Sequence, residues 1–265
     1  MTKASRLIKA IYYKIKYKLL EKEFVAEAGD KIRYIFSQDG EKSNDRVLLV
    51  IFSGFAGENI PGRYNYIRSL QDAKCDKLFI KDDFGYNKVG SYYLGEKCEL
   101  YKHSSIQQLV KSENMRYGPY ERVVFMGTSK GGTAAILYGL DLNVDEIVIG
   151  SPQYYISDYL SLNDYHKKIL NHMIDDHNGY DFEWINNLIS YKLSYNNFTG
   201  KITMLYSSKE KSWTETRDLF YLVERLQKSG LKIELIDKEY INHNDIGAIF
   251  IDYIQHELLG SKVRI

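Results

Sequence analysis

Residues Val123 to Gly132 read VVFMGTSKGG, an apolar run that ends in Gly127-Thr128-Ser129-Lys130-Gly131 and passes straight into the helical pattern Thr133 to Tyr138. A serine framed as GxSxG between a strand and a helix has the context of a nucleophile elbow. The turn is so tight that a side chain at Gly127 or Gly131 would collide with neighbouring backbone. Ser129 is then exposed at the carboxyl edge of a sheet, where the helix N-terminus and the backbone N–H of Lys130 can stabilise an oxyanion. Two other readings of the same letters fail. A P-loop needs GxxxxGK[ST], whereas Lys130 precedes the glycine pair, and an SxxK acylase would need lysine where Gly132 stands.

An activated serine needs a general base, which in this context follows the last strand, with the acid on an earlier loop. His243 satisfies that order, between the strand pattern Lys232 to Ile236 and the final helix. The other histidines fit less well: His103 precedes the serine, His166, His172 and His177 fall in an insertion, and His256 lies within the last helix. Glu210, in Ser207-Ser208-Lys209-Glu210 after the strand Ile202 to Tyr206, is the expected acid; it would accept the second imidazole N–H of His243. Glu215 and Asp218 stand where the next helix should begin and are equally explained as charges favourable to its N-terminus. A second oxyanion donor is expected from Ser53-Gly54-Phe55-Ala56-Gly57, through the N–H of Phe55 or Gly54; the alternative is a plain glycine-rich turn. The letters Asp82-Asp83-Phe84-Gly85 do not signal a kinase, because no GxGxxG loop, strand lysine or HRD segment accompanies them. They form a turn or line the rim of the site.

These residues have to be held by a frame, and the hydrophobic pattern supplies one. Val47 to Phe52, Lys77 to Ile80, Arg122 to Met126, Glu146 to Ile149, Ile202 to Tyr206 and Lys232 to Ile236 read as strands. Tyr64 to Asp72, Ile106 to Met115, Lys130 to Gly139, Glu215 to Lys228 and Ile246 to Leu259 read as the helices between them. Such alternation implies an α/β fold: a mostly parallel sheet with helices on both faces, preceded by short strands at Phe24 to Ala28 and Lys31 to Phe36. Residues 154–197 are polar and aromatic and carry helical patches, the pattern of a helical cap inserted between two strands. One domain over 23–265 therefore follows an N-terminal helix within 1–22.

That helix sets Ile8, Ile11, Tyr12, Ile15 and Leu19 at helical spacing with Lys9, Lys14, Lys16, Lys18 and Lys22 between them. It can lie on an anionic membrane surface or pack on the body with a solvated basic face. No apolar run reaches the ~20 residues of a membrane-spanning helix, and the N-terminus lacks the pattern of a signal peptide, so a cytoplasmic location is expected. With 36 Lys+Arg against 35 Asp+Glu, no nucleic-acid partner is expected. Cys75 and Cys98 form neither a CxxC pair nor a metal-ligand spacing, which argues against structural zinc or a disulfide framework.

Asp82-Asp83-Phe84-Gly85, Gly90-Ser91-Tyr92-Tyr93-Leu94-Gly95, Gly127-Thr128-Ser129-Lys130-Gly131-Gly132 and Gly150-Ser151-Pro152-Gln153-Tyr154 together resemble the XcbB/CpsF family of bacterial capsular-polysaccharide biosynthesis proteins. More distantly, the chain is similar to α/β-hydrolase-fold O-acetyltransferases of capsules and of the accessory secretion system, and the resemblance covers about residues 45 to 258. The resemblance implies an acyl-enzyme on Ser129 with His243 as base, acting at the cytoplasmic membrane face on a surface polysaccharide or its precursor. Glu210 departs from the aspartate common in those acetyltransferases, although glutamate is chemically competent. The resemblance also implies acetyl-CoA as acyl donor; no tightly bound cofactor is expected, and Asp83, Tyr93, Gln153 and Tyr154 are the expected substrate-binding residues. An esterase and a non-catalytic assembly scaffold remain the alternatives.

Overall fold

The computed structural model describes residues 3–38, 46–195, 197–210 and 218–260. Among the described residues, eight strands form one sheet in the order β1-β2-β4-β3-β5-β6-β7-β8. β1 (Lys22–Val25) and β2 (Lys31–Ser37) form an antiparallel hairpin at one edge, and β2 runs antiparallel to β4 (Asp76–Ile80). From β4 onward every pair is parallel, through β3 (Val47–Phe52), β5 (Arg122–Thr128), β6 (Glu146–Gly150), β7 (Lys201–Tyr206) and β8 (Lys232–Asp237). The run Val47-Leu-Leu-Val-Ile-Phe52 is apolar throughout because β3 is central and covered on both faces. β8, the far edge, is half exposed and reads as a mixed polar strand.

The helices are α1 (Lys3–Leu20), α2 (Glu99–Lys102), α3 (Ser105–Tyr117), α4 (Lys130–Leu142), α5 (Ile156–Leu160), α6 (Asp164–Met173), α7 (Phe182–Asn186), α8 (Leu188–Ser194), α9 (Phe220–Lys228) and α10 (Ile246–Tyr253). One core packs α3, α4, α9 and the helices after β6 against Leu48, Val50, Phe125 and Ile147. The other packs α10 and the segment after β3 against Leu49, Ile51, Val124 and Val148, on the opposite sheet face. Strand residues alternate between the two cores, as the pleat requires. α5 to α8 all lie between β6 and β7 and form the expected insertion.

The expected helix over Tyr64 to Asp72 does not form. That segment is a series of turns. Tyr66 has φ 65°, the left-handed region, which interrupts a right-handed helix, and the Asn65 N–H is drawn to Ser53 Oγ at 3.3 Å. The final helix forms over nearly the expected range, α10 being continued without a break by a π-helix over Ile254–Leu258. Of the helix expected over Glu215 to Lys228, α9 begins at Phe220, and Glu215 lies outside the described residues.

Candidate active site

Ser129 sits between β5 and α4 with φ 54° and ψ −128°, a conformation that costs a non-glycine residue of order 1–3 kcal/mol. Local hydrogen bonds hold it there. The Ser129 N–H donates to Gly150 O at 2.8 Å, and Ser129 O accepts from Gly132 N at 2.9 Å and Thr133 N at 3.1 Å. The glycines are required as expected: a Cβ on Gly127 would lie 2.4 Å from Gly131 backbone, and one on Gly131 would lie 2.5 Å from Phe52 O.

Parallel pairing aligns the loops that meet this serine. β3 pairs with β5 so that Ile51 stands opposite Met126, which brings Ser53-Gly54-Phe55 beside Thr128 and Ser129. The backbone N–H groups of Gly54, Phe55 and Lys130 donate to no protein partner among the described residues, so each is free to donate to an oxyanion. Tyr93 braces the first loop: its OH donates to Ile80 O at 2.9 Å and accepts from Ser53 N at 2.6 Å.

The Lys130 side chain turns inward, and its ammonium pairs with Asp82 in a site where both groups are 1% exposed. Asp82 also accepts the N–H groups of Ser91 at 3.0 Å and Tyr93 at 3.2 Å. Burial pushes the Lys130 pKa down while Asp82 opposes it. The same ammonium lies 5.1 Å from the ring centre of Phe55, so a cation–π contact ties the start of α4 to the loop after β3.

β7 and β8 deliver the other two groups. His243 Nδ1 is 2.8 Å from Glu210 Oε1, and the carboxylate is fully buried. Ser151 Oγ lies 3.5 Å from the other Glu210 oxygen and 2.5 Å from Tyr240 OH. Burial raises the Tyr240 pKa above its usual value, keeping the phenol neutral as a donor. Asp218 accepts Tyr154 N–H at 3.0 Å, a contact with the insertion and not with His243.

Ser129 and His243 open into one cleft of about 420 Å³. Gly54, Phe55 and Tyr66 line one side, and Tyr159, Tyr165 and His166 of the insertion line another. His166 stacks on Phe55 and Tyr159 at 5.9 and 5.2 Å between ring centres, and burial lowers its pKa. In this arrangement a serine hydroxyl, an imidazole oriented by a carboxylate and free backbone donors face one space, which suits nucleophilic attack on a carbonyl.

Three of the four residues expected to bind substrate are otherwise engaged. Tyr93 is fully buried with its hydroxyl used as the brace described above. Tyr154 is buried, its hydroxyl bonded to Ser190 Oγ and its ring against Tyr155. Asp83 is neutralised by Arg33 at 2.5 Å and Lys81 at 3.5 Å, away from the cleft. Gln153 is also buried, but its Nε2 donates to Ser129 Oγ at 2.7 Å, so it meets the serine itself. The cleft residues Tyr66, Tyr159, Tyr165 and His166 had no motif to mark them; the tyrosine-rich insertion was the only hint. No cluster of metal-ligating side chains occurs among the described residues.

Among solved structures, the chain is similar to the capsule O-acetyltransferase of Neisseria meningitidis serogroup A, with 22% identity, a TM-score of 0.72 and coverage of 90% of this chain and 94% of that one. A mutant of that enzyme in complex with CoA gives 20% identity and a TM-score of 0.71, with the same coverage. The serine hydrolase FphF of Staphylococcus aureus matches at 12% identity and a TM-score of 0.59, over 91% of this chain and 96% of that one. The fold is that of the α/β-hydrolases. Ser129, Glu210 and His243 each follow a parallel strand of this sheet, β5, β7 and β8 in turn. No protein-family model matches the chain, and no curated protein matches it.

Proposed function

We propose that the protein is a serine-dependent O-acyltransferase that moves an acetyl group from acetyl-CoA to a hydroxyl of a bacterial capsular or cell-surface polysaccharide. The observation that carries this reading is Ser129 at a strained elbow in one cleft with His243, whose Nδ1 is held by buried Glu210. The likeness in fold and length to a capsule O-acetyltransferase, one form of it in complex with CoA, supports the choice of donor and acceptor. The donor places the reaction on the cytoplasmic side of the membrane.

In the first half-reaction Ser129 Oγ attacks the thioester carbonyl and its proton passes to Nε2 of His243. The N–H groups of Lys130 and of Phe55 or Gly54 carry the negative charge of the tetrahedral intermediate. The carbon–sulfur bond breaks, and CoA leaves as the thiol with the proton from His243. In the second half-reaction His243 takes the proton of a sugar hydroxyl, which attacks the acetyl-serine ester. The ester bond to Ser129 breaks, and His243 returns the proton to its oxygen. Tyr159, Tyr165 and His166 offer ring faces for the acceptor at the cleft wall.

Intact-protein mass spectrometry after incubation with acetyl-CoA tests this. Wild type should gain about 42 Da, an acetyl group in place of a hydrogen. Ser129→Ala and His243→Ala should not, and capsule oligosaccharide should discharge the adduct with transfer to the glycan. Discharge to free acetate alone, with or without glycan, would make the protein an esterase. No adduct from any activated ester and no labelling by a fluorophosphonate would reject acyl-enzyme chemistry in favour of an assembly scaffold.

A further inference from the structure

α1 presents two apolar faces, and only one of them is covered by the described residues. On the covered side Tyr17 packs against the core that α10 also covers, Tyr13 stacks on Tyr17, and the Arg68 guanidinium lies 5.4 Å from the Tyr13 ring centre. The end of the helix is pinned where Glu21 accepts Tyr64 OH at 2.8 Å and Lys81 Nζ at 3.1 Å. On the other side Tyr12, Ile15 and Leu19, spaced three and four residues apart, form one stripe and are 59%, 57% and 81% exposed. Lys16 and Lys18, both exposed, stand within and beside that stripe.

We propose that this face seats the protein on an anionic membrane surface. Lys3–Leu20 contains Lys3, Arg6, Lys9, Lys14, Lys16 and Lys18 and no acidic residue, so its charge complements anionic headgroups. A second copy of the same face would bring like charges together at a small contact, which disfavours self-association. Tyr12, Ile15 and Leu19 enter the boundary between headgroups and acyl chains, and Lys16 extends its ammonium back to the headgroups. The anchor at Tyr64 is next in the chain to Asn65 and Tyr66, which line the cleft. The proposal stands independently of the acyl-transfer reading.

Co-sedimentation of the full chain with vesicles tests it. Binding is expected to vesicles of phosphatidylcholine mixed with phosphatidylglycerol and not to phosphatidylcholine alone. The paired changes Ile15→Ser with Leu19→Ser, and Lys16→Glu with Lys18→Glu, should each weaken partitioning about tenfold or more. Raising salt from about 0.1 M to about 0.5 M should weaken it as well. Thermal unfolding of both variants should match wild type, because the substituted side chains are exposed. Absence of binding to the anionic vesicles, equal binding to neutral ones, or unchanged binding by the variants would overturn the proposal. So would a dimer in sedimentation velocity that the Ile15 and Leu19 changes dissolve, since the face would then belong to a second copy.

Discussion

The Gln153 side-chain amide donates to Ser129 Oγ at 2.7 Å, while Ser129 and His243 share no direct hydrogen bond. The resting hydroxyl oxygen therefore accepts from a buried neighbour on the loop after β6, and Ser129 and His243 must come into hydrogen-bond contact before the proton can pass. A bond made in the resting state and released on reaction slows the reaction.

Replacing Gln153 with Leu removes that bond together with a buried amide oxygen that has no partner among the described residues. A net hydrogen bond is worth about 1 kcal/mol, so Ser129 should react about fivefold faster with a small fluorophosphonate. Labelling rates read by gel fluorescence measure this. Slower labelling would mean that the amide positions the serine for attack.

Glu210→Gln keeps the volume of the side chain but removes the charge that faces His243 Nδ1. Turnover should fall about 10³- to 10⁴-fold with little change in KM, as expected when the imidazole loses its correct tautomer. Steady-state kinetics with acetyl-CoA, or with a chromogenic acetate ester, provide the readout. Turnover close to wild type would remove Glu210 from the reaction.

Lys130→Met leaves the buried Asp82 carboxylate without its cation and should destabilise the fold by about 3–5 kcal/mol. Combining it with Asp82→Asn, whose carbonyl can still accept from Ser91 and Tyr93, should recover much of that loss. Denaturant unfolding of the two single variants and the double variant tests the coupling; simple additivity would rule it out.

His166 is expected to make the fold sensitive to acid. Burial lowers its pKa in the folded state below the ordinary 6.5, so below that pH the unfolded chain binds more protons than the folded one. Stability contributed by the neutral ring is present above about pH 6.5 and is lost as the pH falls through and below that value. His166→Gln should flatten the decline of the unfolding midpoint between about pH 7 and pH 5. An unchanged slope would assign the acid sensitivity to other groups.

Local rules were enough to read much of this molecule from its residues. The spacing Gly127-Ser129-Gly131 between a strand and a helix is legible because the contacts that demand glycine come from residues within a few positions and from the adjoining strand. The central strand β3 was legible from its unbroken apolar run, and the meeting of Glu210 with His243 from their places after β7 and β8. Tertiary structure alone decided what depends on residues far apart in the chain. Asp82 meets Lys130 across 48 positions, Gln153 reaches Ser129 only because β5 and β6 are neighbours, and Tyr93 becomes a brace because Ser53 arrives from another strand. The segment after β3 carries helical periodicity, yet Tyr66 takes a positive φ and bonds Thr128 Oγ1 at 2.7 Å. Side-chain burial and hydrogen-bond partners are set by which strands pair, and periodicity along one segment does not contain that information.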